Sequence, residues 1–199
     1  MQHLKILLAS RSPRRRELLT QLGLHYQVID VEVDESIVQP ILPEVYAKEI
    51  SEKKALMALA NSEICVSERE ILLTADTTLS VDGEIIGKPK DLQDYLQMMK
   101  KLSNRTHQVF TALTLVGKVD GEEKFVTMLS ETAVQFSLLP EQFVRAYWQS
   151  GEPADKAGGY AIQGKMAGYI QSIKGSYSGV MGLPLFELRE ALEVFDHYI

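Results

Sequence analysis

The chain has 199 residues and a formal net charge of -6, long enough to bury one sizeable core and too acidic for a general nucleic-acid binder, which usually carries a basic face. One cysteine, Cys65, leaves no internal disulfide to form, and a reducing cytosol is the expected compartment. The apolar run in MQHLKILLAS is too short to span a bilayer and leads into SPRRRELL rather than a small-residue cleavage site, so neither a membrane anchor nor a signal peptide is expected.

Leu4 to Ala9 reads as a short buried strand. Ser12 then offers an N-cap and Pro13 suits a first helical position, so a helix is expected from Arg14 to Leu22, stopped by Gly23. Tyr26 to Val33 has strand character. Pro43 to Ala60 has helical periodicity, with Val45, Ile50, Ala55 and Leu59 as inward positions. Ile71 to Ala75 reads as a second buried strand that ends in Asp76, and Asp82-Gly83 marks a hairpin. Leu92 to Leu102 is helical. Val109 to Val119 and Lys124 to Phe136 alternate as antiparallel strands around Asp120-Gly121. Pro140 to Ser150 is a helix. Gly151 to Gly182 is irregular, with one short strand from Tyr169 to Ile173, and Leu185 to Tyr198 closes the chain as a helix. Interleaved strands and helices give an α/β class with a mixed sheet.

Three groups of residues carry chemistry. Ser10-Arg11-Ser12-Pro13-Arg14-Arg15-Arg16 lies at a strand-to-helix junction, where free backbone N–H groups and a partial positive charge favour an anion. The glycines and the Lys-Ser/Thr ending of a Walker loop are missing. The second group is Glu35 and Asp76, each after a strand, with Lys54 on a helix and Lys88 held between Gly87 and Pro89. Two such carboxylates suit Mg²⁺, which takes oxygen ligands and shares them with phosphates. The third is Gly151 to Gly164, too rich in glycine and polar side chains for a plain connection of that length. Taken singly, Glu35, Asp76, Lys54 and Lys88 read first as a surface glutamate, a helix-capping aspartate and two solvated lysines. Tyr26 and Tyr46 read as core.

Over nearly its whole length the chain resembles the Maf family. The resemblance rests on Ser10 to Arg15, Glu35, Lys54 before Ala55, Ala75-Asp76-Thr77, Gly87-Lys88-Pro89, and Gly151-Glu152-Pro153 through Asp155-Lys156-Ala157-Gly158. It continues through Ile162-Gln163-Gly164, Gly175-Ser176-Tyr177 and Gly182-Leu183-Pro184-Leu185. It implies an inosine-triphosphatase-like α/β fold, a long mixed sheet flanked by helices around a central cleft, with residues 1–199 as a single domain of two closely packed lobes. It also implies a cytoplasmic, Mg²⁺- or Mn²⁺-dependent nucleoside triphosphate pyrophosphatase, often a homodimer, with no nucleic-acid or membrane partner.

The run Tyr160-Ala161-Ile162-Gln163-Gly164 resembles the branch acting on dTTP and UTP, with modified pyrimidine nucleotides and a house-cleaning or cell-division-arrest role within its scope. By the same resemblance Asp76 is the catalytic acid, and Arg14, Thr77 and Gln163 sit at specificity-linked positions. Glu35 and Asp76 hold the metal, and Ser10, Arg14, Arg15, Lys54 and Lys88 meet the phosphates. Arg16 and Thr78 depart from the usual pattern without disturbing it. A nucleotide-binding regulator and a plain anion-binding scaffold are the alternatives. A pure triphosphate binder has no need of two uncompensated carboxylates beside its ligand.

Overall fold

The computed structural model describes residues 4–35, 41–61 and 64–198. Among these residues seven strands form one mixed sheet. β1 (Lys5–Leu8) lies in parallel between β2 (His25–Val28) and β3 (Glu70–Val81), and β3 also pairs antiparallel with β4 (Glu84–Ile86). The sheet continues antiparallel through β5 (Thr106–Val119), β6 (Glu122–Phe136) and β7 (Ile170–Lys174). Both Asp-Gly pairs form the expected turns, with φ of 53° and 79° at Asp82-Gly83 and 53° and 81° at Asp120-Gly121.

Helix α1 (Pro13–Gln21) starts as expected, with the Ser12 hydroxyl accepting from the Arg15 backbone N–H. Leu18 and Leu19 seat it on the sheet. α3 (Leu92–Leu102), α4 (Glu141–Gln149), α5 (Tyr177–Met181) and α6 (Leu185–Glu193) pack on the same face, around Ile6, Leu73, Leu113 and Phe136. α2 (Pro43–Leu59) covers the other face through Ala47, Ala55 and Ala58. Among the described residues no helix is long and apolar enough to cross a membrane.

The structure corrects several expectations. The second strand stops at Val28, because its partner β1 ends at Leu8 where the chain turns toward α1. Asp76 does not end a strand. β3 runs on to Val81 because β5 supplies backbone partners from Leu72 to Ser80, which outweighs the poor strand propensity of aspartate. Val45 faces outward and Leu59 is half-buried; Ala47, Ser51 and Ala58 join Ile50 and Ala55 as inward positions of α2. α6 stops at Glu193, and Asp196 takes a positive φ of 57° that turns the chain away from the helix.

The glycine-rich segment is more ordered than its composition suggests. It holds three 3-10 turns (Glu152–Asp155, Ala157–Gly159, Lys165–Tyr169), β7 and the short helix α5. Gly158 is required there. Its φ is +69°, and a Cβ would stand 2.3 Å from Leu79 Cδ1.

Two features of β3 decide where a ligand can reach the sheet. β1 pairs with residues 70–73 and β4 with residues 79–81 along the same edge, so that edge is open from Thr74 to Thr78. Successive side chains of β3 also point to opposite faces. Thr74, Asp76 and Thr78 point toward α2; Ala75, Thr77 and Leu79 point toward the α5 side.

Candidate active site

A cleft of about 1220 Å³ opens at this gap. Its walls contain every residue singled out by the sequence: Ser10, Arg14, Arg15, Glu35, Lys54, Asp76, Thr77, Lys88 and Gln163. They lie up to 153 positions apart in the chain (163 less 10), and the open edge of β3 gathers them.

On the α2 side the arrangement is ionic. Lys54 Nζ lies 2.8 Å from Asp76 Oδ1 and 2.7 Å from Glu35 Oε1, one ammonium between two carboxylates. The side chains of Lys54 and Asp76 are only 13% and 11% exposed. Thr78 donates to the other Asp76 oxygen at 3.2 Å, so both carboxylate oxygens are held. Partial burial opposes the Glu35 charge, but the Lys54 hydrogen bond and the Lys54, Lys88 and Arg15 charges win, and its pKa lies below the usual carboxylate range. Lys88 is 3.9 Å from Glu35 and mostly exposed.

Tyr46, read from the sequence as core, lines this wall instead and donates its hydroxyl to the Glu35 carbonyl at 2.7 Å. Burial, with Asp76 and Glu35 nearby, pushes its pKa up to about 12.

Across the sheet the polar groups are hydroxyls and guanidiniums. Arg15 Nε donates to the Gly182 carbonyl at 2.7 Å, Nη1 to Ser10 Oγ at 3.0 Å and Nη2 to Thr77 Oγ1 at 3.5 Å. Burial draws the Arg15 pKa down, opposed by the charge of Asp76. Arg14 Nε donates to the Met181 carbonyl at 3.2 Å. Both arginines therefore brace the C-terminal end of α5, a role the sequence does not suggest. Ser10 Oγ accepts from Arg15 and from the Ser12 N–H at 3.2 Å, which leaves its own proton to donate.

Gln163 is exposed on the rim, on a loop supported from beneath. The Tyr147 hydroxyl donates to Glu152 and accepts from the Ala161 N–H at 3.1 Å. Tyr160 hydrogen-bonds His107 Nε2 at 2.8 Å and packs edge-on against Phe136. His107 is fully buried, and burial lowers its pKa to about 4, so it is neutral near pH 7. Thr111, Tyr147 and His107 belong to no motif of the sequence, and Tyr160 stands out there only as part of the run that ends at Gly164. The one signal they offer is a hydroxyl or imidazole at an inward position.

Among the described residues no group of three or more His, Cys, Asp or Glu is placed to hold a metal ion unaided. Glu35 and Asp76 nevertheless offer hard oxygen donors on either side of a cation, a set that fits Mg²⁺ or Mn²⁺ once phosphate oxygens and water complete the shell.

A family profile described as Maf-like protein matches residues 5–195. A dTTP/UTP pyrophosphatase of Alkalilimnicola ehrlichii is 44% identical over 193 residues, covering 96% of this chain and 93% of the relative. Proteins of the same name from Aliivibrio fischeri and Pseudoalteromonas atlantica are 42% and 40% identical, covering 96% and 94% of this chain and 98% and 95% of their own lengths.

Proposed function

The chain belongs to the Maf family, and from that premise we propose that it is a nucleoside triphosphate pyrophosphatase acting on dTTP and UTP. The observation that carries this reading is the Lys54 ammonium set between Glu35 and Asp76 at the open edge of β3, directly across the sheet from Arg15 and Ser10.

Water attacks the α-phosphorus, the bond from that phosphorus to the bridging oxygen breaks, and a nucleoside monophosphate and pyrophosphate leave. A triphosphate carries about four negative charges at neutral pH, so an acidic protein needs local cations. Arg14, Arg15, Lys54 and Lys88 supply them, and Ser10 donates its hydroxyl to a phosphate oxygen. Asp76, held through both oxygens, takes the proton of the attacking water. Glu35 and Asp76 would hold Mg²⁺ or Mn²⁺, which would offset phosphate charge and withdraw electrons from the attacked phosphorus. Thr77 and Gln163 face the base. The Gln163 amide, donor and acceptor together, matches the N3–H and neighbouring carbonyl of uracil or thymine. The family resemblance supports a cytoplasmic setting and a homodimer.

The test is pyrophosphate release from a panel of triphosphates. UTP and dTTP should lead, and EDTA should abolish turnover until Mg²⁺ or Mn²⁺ is returned. Equal kcat/KM for UTP, ATP and GTP would refute the base preference; release of orthophosphate alone would refute the chemistry.

A further inference from the structure

The two carboxylates of the ionic group stand on unequal supports. Asp76 lies within β3, opposite Ala112 of β5, and both its oxygens are held. Glu35 lies seven residues (35 less 28) beyond the end of β2. The Ile29 N–H still donates to the Leu8 carbonyl at 2.9 Å, but residues 30–35 form neither helix nor strand. Arg11 pairs with Asp30 and Glu32, in exposed ion pairs that hold a chain weakly.

What fixes Glu35 comes from α2. The Tyr46 hydroxyl donates to its backbone carbonyl at 2.7 Å, Lys53 Nζ donates to the Asp34 carbonyl at 2.7 Å, and Lys54 Nζ meets its carboxylate at 2.7 Å. These contacts differ in kind. The Lys54 bond competes with any cation or phosphate that takes either of its partners. Tyr46 and Lys53, about two turns apart on α2, hold only main-chain oxygens, so their grip does not depend on what the carboxylate binds. Lys53 is exposed, and its long side chain loses much rotamer freedom on being held. Tyr46 is half-buried and stiffer.

We propose that Tyr46 is a positioning residue for metal binding: its hydroxyl, seconded by Lys53, straps the backbone at Glu35 to α2, so that the carboxylate stays beside Asp76 when Lys54 lets go of it. Partners behind a metal ligand orient it and set its affinity in this way. The inference rests on the proposed reading in which Glu35 and Asp76 hold Mg²⁺ or Mn²⁺.

The experiment separates the two. Mn²⁺ is titrated into the nucleotide-free protein and its binding followed by loss of the free-ion signal in electron paramagnetic resonance. The free Mn²⁺ needed for half-maximal turnover of UTP is measured alongside. In Tyr46→Phe, which loses one hydroxyl, both constants should rise about two- to tenfold, the worth of one hydrogen bond. Saturating Mn²⁺ should restore turnover, because the strap affects how well the metal is held and not what it does. Lys53→Met should move both constants the same way and less, since its contact is exposed. In a Glu35→Gln background Tyr46→Phe should add little, because the strap acts only through that carboxylate. A wild-type constant in either measurement, a loss of turnover that saturating Mn²⁺ does not restore, or an equal effect in the Glu35→Gln background overturns the role of Tyr46 and leaves the pyrophosphatase standing. Wild-type turnover untouched by EDTA overturns the metal reading and this inference together.

Discussion

Asp76 and Thr77 are neighbours in the chain and opposites in environment. Asp76 faces α2, where Lys54 and Glu35 make a compact charged group. Thr77 faces α5, where hydroxyls and guanidiniums meet backbone carbonyls. A strand delivers both because its side chains alternate, and the open edge of β3 lets one ligand reach both faces. Charge placed on one face suits bond cleavage, which needs a proton acceptor and cations. Hydroxyls and backbone carbonyls on the other, beside the guanidiniums that meet phosphate, suit discrimination, because a mismatched partner leaves a buried group unpaired.

The sharpest way to break this division is on the charged face. Asp76→Asn is nearly isosteric, and Lys54 keeps Glu35 as partner, so the protein should fold. It should lose about 10²–10⁴-fold in kcat, the usual worth of a positioned proton acceptor. Its preference for UTP over purine triphosphates should survive, since the opposite face is intact. Near-normal turnover by the folded variant would remove Asp76 from the chemistry.

The α5 face should instead show itself in acid stability. The pKa of His107 is about 4 when folded and ordinarily 6.5, so the unfolded chain binds this proton first. The stabilisation is fully present above pH 6.5 and is lost as pH falls toward 4, by up to about 3 kcal/mol. Denaturant midpoints at about pH 7 and pH 4.5 measure it. His107→Gln, which cannot titrate, should flatten the dependence. An equally steep fall in that variant would assign the effect to other groups.

Much of this is legible in the sequence, for reasons that differ by residue. Ser12-Pro13 announces α1 because capping is local chemistry, and the two Asp-Gly turns announce their hairpins for the same reason. Asp76 looks like a strand end because nothing near it in the chain shows that β5, more than thirty residues away, supplies its backbone partners. Arg14 and Arg15 stand out as cations, but their bonds to Met181 and Gly182 span 167 positions, and no local pattern encodes them. Thr111 and His107 escape notice because alternation flags apolar inward positions and says nothing about which polar side chain is paired beneath.

Lys88 tests the rim of the charged face. It is mostly exposed, so only the low end of a charge-assisted contact is expected. Lys88→Ala should raise KM for UTP about tenfold at low ionic strength. The difference should shrink as salt screens the wild-type contact. A kcat/KM equal to wild type at every salt concentration would make Lys88 a solvated turn residue.

The smallest effect sharpens the comparison most, because it changes recognition without touching any proposed contact. Gly164 has ordinary φ, yet a Cβ there would lie 2.0 Å from Glu152 Oε1. The carboxylate would have to swing away, and the Tyr147 hydroxyl would lose the acceptor that fixes it beneath the Ala161 N–H. One hydrogen bond is worth about 0.5–1.5 kcal/mol, so Gly164→Ala should narrow the kcat/KM gap between UTP and GTP about two- to tenfold. Gln163→Ala should narrow it at least as much, and the double variant should add little to Gln163→Ala, since the support matters only through the residue it carries. Inhibition by pyrophosphate should stay unchanged in Gly164→Ala, because Arg15, Lys54 and Ser10 lie outside the loop. A loss of pyrophosphate affinity equal to the loss for UTP would show that the loop holds the phosphates, and the separation of cleavage from recognition across β3 would fail.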